Sequence, residues 1–435
     1  MNFFVGSSLA KSRGERGRKD FAFLKAFSSK QLLFLGIFFN IALLGYFKYT
    51  DFLLTNVHAI FGSNVHLLRI ALPLGISFFT FTQIAFLVDA YKGKVKEYDL
   101  LNYTLFVSYF PHLLAGPILH HSEMMPQFAS RWNWAVRWRN ISVGLVLFTI
   151  GLFKKVVVAD TFAQWANAGF DSATSLNLFA AWATSLSYTM QLYFDFSGYT
   201  DMAIGISRMY NITLPINFNS PYKAKNIQDF WRRWHITLSR FLKDYIYIPI
   251  GGNKVTNLRN YLNLLSVFLI GGLWHGAAWT FVAWGALHGM AIVVHRAWRD
   301  SGLRMWGWLG WLITFNFVNI AWVFFRAKDF EAVGKVLGGM CGVGGVVISN
   351  KLAGKLAFLE GFGITFGNWL GQIGGNDWAP ICLMLSLLAL SAHNSNEIVR
   401  DLKHNWKWAL FSASLFYMSL NMMAKMPSQF IYFNF

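Results

Sequence analysis

The chain has 435 residues, of which 55% are hydrophobic and only 13% charged, and it carries a formal charge of +18. Soluble domains carry roughly 25% charged residues, so this composition excludes an ordinary soluble enzyme. The cations sit in short clusters between apolar runs, which is the positive-inside pattern of cytoplasmic loops and not a nucleic-acid surface.

The first 30 residues form a basic segment, with Lys11, Arg13, Arg16, Arg18, Lys19, Lys25 and Lys30, and are read as cytoplasmic. No cleavage site follows, so no signal peptide is read. The first long apolar run extends from Gln31 to about Leu54. Ile70 to Val88 carries no charge over nineteen residues, enough to span about 30 Å of hydrocarbon as a helix. Lys92, Lys94 and Lys96 then return the chain to the cytoplasm. Leu101 to His120 is uncharged but broken by Pro111, Gly116 and Pro117. The next loop is again basic (Arg131, Arg137, Arg139), so this stretch is read as re-entrant.

Ile141 to Phe153 is apolar and short, and Lys154 and Lys155 interrupt it before Val156–Val158. A better span runs from Ser172 to Phe194. It leads into a polar cluster, Asp195, Ser197, Tyr199 and Asp201, at an expected membrane boundary. Residues 217–254 alternate basic residues and tryptophans at helical spacing, which predicts a helix lying at the cytoplasmic interface. Tyr261–Trp274, Ala277–Val294, Trp306–Phe325, Pro380–Ala392 and Trp406–Met422 are further apolar runs. Residues 340–377 are glycine-rich and show no clear period. The fold class is therefore an all-α polytopic membrane protein of about ten membrane helices, forming one domain over 1–435 with re-entrant segments. Cys341 and Cys382 are the only cysteines, too few for a disulfide framework.

The chemistry concentrates in 217–289. Asp229-Phe-Trp231-Arg232-Arg233-Trp234-His235 is followed by Gly271-Gly-Leu-Trp274-His275-Gly276. Ionisable groups are expensive in hydrocarbon, and irregular glycine-rich backbone is tolerated there only inside protein or against a wet cavity. His275 at membrane depth therefore marks a polar chamber, where a neutral imidazole could act as a general base. The competing reading is a histidine hydrogen-bonded to a neighbouring helix for packing. His235 could equally be a surface histidine near lipid phosphates; four residues before Ser239, it would share a helix face with it. His288 and His295 are read as packing residues. His120 and His121 are adjacent, so they do not share a helix face as a metal pair would, and no metal motif is present. The basic cluster around Arg232, Arg233 and Lys243 could hold a phosphorylated donor or simply anchor the chain. Asp195, Tyr199 and Asp201 are read as polar contacts that pair with Lys or Arg. The sequence has no phosphate-binding loop and no serine elbow.

Three motifs carry a resemblance: Phe194-Asp-Phe-Ser-Gly-Tyr-Thr-Asp-Met-Ala-Ile-Gly205, Phe230-Trp-Arg-Arg-Trp-His235 and Gly272-Leu-Trp-His-Gly276. They resemble the membrane-bound O-acyltransferase (MBOAT) family over nearly the whole chain. Tyr245-Ile-Tyr-Ile-Pro-Ile-Gly-Gly-Asn253 and the terminal Phe430–Phe435 look like its alginate O-acetylation branch. The D-alanyl-transferring branch is similar around the Trp-His pair and is expected to lack the Pro-Ile-Gly-Gly stretch. The resemblance implies a catalytic His275 and a second motif position at His235, which is His or Asn in relatives. It also implies a central tunnel, with Trp274, Asp195, Tyr199 and Ser239 as candidate lining residues. Trp231 and Trp234 join Arg232, Arg233 and Lys243 as candidates for donor binding.

No bound cofactor is implied. The donor would be acetyl-CoA or another cytoplasmic acyl thioester. The partners would be membrane lipids and either an extracytoplasmic acyltransferase or the polysaccharide acceptor itself. The location would be a bacterial inner membrane, crossed many times. Relatives usually begin with about two further helices before such a basic segment, so the start is expected to be either truncated or shorter here. The alternatives are transfer of D-alanyl or another acyl group to a cell-wall polymer, or a transporter whose buried histidines line a solute path.

Overall fold

The computed structural model describes residues 1–11, 27–62, 66–95, 99–114, 116–375 and 378–425. The basic stretch 13–25, Lys96 and the terminal motif at 430–435 lie outside the described residues. The helices are α1 (Asn2–Lys11), α2 (Ser29–Phe61), α3 (Ile76–Tyr91), α4 (Leu100–Ser108), α5 (His121–Phe128), α6 (Trp138–Ser172), α7 (Leu178–Met209) and α8 (Ile227–Arg233). They continue as α9 (Ile236–Leu242), α10 (Asn257–His275), α11 (Trp279–Asp300), α12 (Gly307–Arg326), α13 (Phe330–Met340), α14 (Trp378–Ser391), α15 (Ser395–Arg400) and α16 (Trp406–Lys425). In the glycine-rich stretch, β1 (Val346–Ser349) pairs in parallel with β2 (Ile364–Gly367), Val346 opposite Ile364. Among the described residues, three helices are long and apolar enough to cross a membrane: α2, α6 and α12.

The chain divides into two compact units. The first collects residues 1–145, 203–216 and 237–256. Its core joins Val5 and Leu9 of α1 to Leu32 of α2 and to Phe86, Leu87 and Ala90 of α3. The opening residues, expected as part of a basic cytoplasmic segment, thus form a helix that buries one face. Asn2 and Asn40 exchange side-chain hydrogen bonds of 3.1 and 2.8 Å across this packing. The broken stretch after α4 does leave the helix, at Tyr109, and one short turn covers Phe110–His112. Ile118 N–H donates to Thr237 Oγ1 at 3.0 Å, tying this stretch to α9.

The second unit collects 146–202, 217–236 and 257–435. Here the structure corrects the reading of Lys154 and Lys155 as an interruption, because α6 runs through them as one helix of 35 residues. The helix widens into a π-turn at Lys154–Ala159, a local bulge of the kind that re-aims side chains. Both lysines then meet carboxylates. Lys154 Nζ lies 2.7 Å from Asp201 Oδ2, and Lys155 Nζ lies 2.6 Å from Asp160 Oδ1 and 2.7 Å from Asp195 Oδ1. Glycine makes the approach possible: a Cβ on Gly151 would stand 2.5 Å from the Gly198 carbonyl, and one on Gly198 2.6 Å from the Gly151 carbonyl. The polar cluster 195–201 does not end its helix. It lies within α7, a helix of 32 residues.

Candidate functional site

The site grows from the hairpin of α10 and α11. Gly272 and Gly285 bring the two helices together, since a Cβ on Gly272 would stand 3.2 Å from Gly285 Cα. Small residues at such crossings let backbones approach closely inside a bilayer. His275 is the last residue of α10 and is only 4% exposed. Aromatic rings surround it, with centroids at 4.8 Å for Trp274, 5.2 Å for Trp284 and 5.0 Å for Phe325.

His235 is fully buried and has φ +43°. That left-handed conformation is uncommon for any residue but glycine. It separates α8 from α9, so the helix expected over this stretch is broken at His235. His235 and Ser239 therefore do not sit on one continuous helix face. His235 Nδ1 is 3.1 Å from Asn217 Oδ1. Because the amide oxygen accepts, this geometry places the ring proton on Nδ1 and a lone pair on Nε2. Phe196 presses edge-on at 4.8 Å, and Trp274 lies at 6.3 Å. Burial pushes the His235 imidazole down to about 3, so it is neutral at physiological pH. Trp274 thus contacts both histidines.

A third imidazole joins them. His288, expected as packing alone, is fully buried, and its Nδ1 accepts from Trp231 Nε1 at 3.2 Å. Its ring lies 4.8 Å from that of Trp284. Trp231 and Trp234 are buried. Trp234 stacks on Phe230 at 5.7 Å and contacts Trp322 at 5.0 Å. The two tryptophans are therefore walls of the cage and not interfacial anchors. Arg232 is exposed, and Arg233 pairs with Asp229 at 2.9 Å.

The structure brings His235, Trp274, His275, Trp231 and Trp234 into one unit. Asp195 lies in the same compact unit and pairs with Lys155. Tyr199 is half-buried in the same unit. Ser239, half-buried, and Lys243, exposed, belong to the first unit. His120 and His121 turn to different surroundings. His120 Nδ1 lies 3.0 Å from the Tyr245 hydroxyl, which donates to Asp89 Oδ2 at 2.8 Å, whereas His121 packs on Phe86 and Phe106. Sequence reasoning missed Asn217, Trp284 and the Trp231–His288 bond. The spacing of Trp284 and His288, four apart on one helix, was the available signal for part of this.

The model of the membrane-bound O-acyltransferase family matches residues 19–330, the span that holds the cage and both Trp-His motifs. The chain belongs to the membrane-bound O-acyltransferase family. It is an O-acyltransferase and a membrane protein. It is 50% identical to the peptidoglycan O-acetyltransferase of Helicobacter pylori, over 93% of this chain and 82% of that protein. It is 40% identical to the probable alginate O-acetylase AlgI of Pseudomonas aeruginosa, over 77% of this chain and 64% of that protein. The teichoic acid D-alanyltransferase of Bacillus subtilis is 28% identical over 59% of this chain.

Proposed function

We propose that the protein transfers acetyl groups from a cytoplasmic thioester, acetyl-CoA by the simplest reading, toward hydroxyls of a cell-surface glycan. Peptidoglycan is the first candidate acceptor. The observation that supports this is the 50% identity to a peptidoglycan O-acetyltransferase over 93% of the chain. Alginate-type polysaccharide is the second, supported by the 40% identity to AlgI over 77% of the chain.

In this reading about ten helices cross a bacterial inner membrane and enclose a tunnel past the histidine cage. The donor approaches the exposed guanidinium of Arg232, whose planar fork suits phosphate. His275 accepts the proton of the attacking hydroxyl as its oxygen bonds to the acyl carbonyl carbon. The carbon–sulfur bond breaks, and the proton passes to the departing thiolate. His235, held neutral and oriented by Asn217, positions the acyl group or relays the proton. The aromatic walls keep water from the thioester, which would otherwise be hydrolysed. The product ester is finished on the outer face, by this chain or by an extracytoplasmic acyltransferase.

The test is base-labile acetate in cells lacking the protein, measured separately on purified peptidoglycan and on secreted polysaccharide. Loss from peptidoglycan alone, restored by the gene, is the expected result. Loss from the secreted polymer alone moves the second acceptor ahead. Unchanged acetate on both fractions would remove the proposal.

A further inference from the structure

A groove of about 660 Å³ opens between α11 and α12, away from the rings around His275. Its walls are apolar: Met290, Ala291 and Val294 from α11 face Ile313 and Phe317 from α12. Several of these side chains are exposed in the isolated chain, Val294 at 64% and Ile313 at 50%. At one end the chemistry changes. Lys225 lines that end together with Trp298, Trp306 and Arg299, the last of which pairs with its neighbour Asp300 at 3.1 Å. Tryptophans and basic residues mark the headgroup level of a bilayer, while apolar walls mark its hydrocarbon. The groove therefore has the amphiphilic profile of a lipid, with a cationic mouth and a greasy shaft.

The mouth is built, not incidental. Lys225 is held against the start of α12, because a Cβ on Gly310 would stand 2.5 Å from the Lys225 carbonyl oxygen. Trp311 Nε1 donates to the Tyr222 carbonyl at 2.8 Å, fixing the same strand of chain. The Lys225 ammonium lies 3.5 Å from where a Gly307 Cβ would be, beside the first turn of a helix whose N-terminus has no side-chain cap. The partial positive charge of that helix end adds to the lysine. At the other end, the Phe317 ring stands 5.3 Å from His288, so a single ring separates the groove from the histidine cage.

We infer that this groove binds one anionic glycerophospholipid, its phosphate at Lys225 beside the first turn of α12 and its acyl chains between α11 and α12. Charge complementarity selects the headgroup, and the apolar shaft selects chains over the polar body of a nucleotide thioester. The bound lipid covers an apolar face that would otherwise need a protein partner, and it buttresses Phe317 against His288.

The experiment is native mass spectrometry of the full chain, purified in mild detergent and offered phosphatidylglycerol or phosphatidylethanolamine with identical chains. Wild type should retain phosphatidylglycerol about fivefold more strongly, the effect of one basic residue at an anionic surface. Lys225→Gln should erase that preference while still retaining both lipids weakly. Ala291→Trp, which fills the shaft and leaves the mouth intact, should lower retention of both. Equal retention of the two lipids by wild type overturns the inference, as does an unchanged preference in Lys225→Gln. Displacement of phosphatidylglycerol by coenzyme A also overturns it, by assigning the groove to the donor. Retention is read without acyl transfer, so it stands or falls separately from the acceptor's identity.

Discussion

Lys155 and His275 are equally cut off from solvent, at 6% and 4% exposure, yet their surroundings are opposite. Lys155 sits between two carboxylates, and its neighbour Lys154 reaches Asp201 and, at 3.0 Å, the Ser395 hydroxyl. His275 is ringed by Trp274, Trp284 and Phe325. A permanent charge in a low dielectric must be met by an opposite charge and hydrogen bonds. An imidazole carries no permanent charge and can be enclosed by aromatic rings. The ion pairs hold α6 to α7, and the cage is the proposed place of the chemistry. The two regions should therefore fail differently when mutated.

The ionic region should fail in stability. Asp201→Ala strands the Lys154 ammonium and should destabilise the fold by about 3–5 kcal/mol, read as a large drop in the unfolding temperature in detergent. Lys154→Met/Asp201→Leu removes both charges and should recover most of that loss. A double variant no better than the single would mean that the pair does more than neutralise its own burial.

The cage should fail in activity. His235→Ala should lower acyl transfer about 10- to 100-fold with little change in membrane level, a modest share of what positioned proton transfer supplies. His235→Asn should retain more, because asparagine tolerates the left-handed backbone and keeps a side chain that can bond Asn217. The same residue sets a pH limit. Neutral in the fold down to about 3, His235 takes a proton in the unfolded chain from about 6.5 downward. Its contribution to stability is therefore full above 6.5 and lost progressively as pH falls toward 3. His235→Asn should flatten that acid limb, and an unaltered acid profile would show that other groups control it.

Smaller effects separate the cage's walls from its surface. Trp231→Phe keeps the ring but removes the donor to His288, and should cost about 1 kcal/mol, the net worth of one hydrogen bond. Arg233→Ala breaks the half-exposed pair with Asp229 and a long 3.4 Å bond to the Asn219 carbonyl, and should change stability by less than about 1 kcal/mol. If Arg233→Ala proved the more damaging of the two, the division between cage and surface would be misplaced.

The mainly helical membrane character was legible because hydropathy reports burial in lipid directly, whereas the short β1–β2 pair in the glycine-rich stretch was not. The enclosure of His275 within the protein was legible for a related reason: an ionisable residue beside glycines at membrane depth is expected to face a protein interior. Lys154 and Lys155 misled, because a local window cannot see that Asp195 and Asp201, on the next helix, neutralise them. The joint at His235 was hidden as well. Its neighbours have ordinary helical spacing, and only tertiary packing forces the left-handed φ. Trp231 and Trp234 looked like interfacial anchors because tryptophan beside arginine is common at membrane surfaces. Their burial depends on α11 and α12, which arrive much later in the chain.

In the proposed mechanism the buried His275 does the proton work of acyl transfer. The most direct measurement is glycan O-acetylation in cells lacking the protein, complemented with wild type or His275→Ala at matched membrane levels. The account predicts that wild type restores the ester and that His275→Ala, though inserted and folded, restores less than about 1% of it, the loss of a positioned general base. Equal restoration by the variant would contradict it and leave His275 as a packing residue.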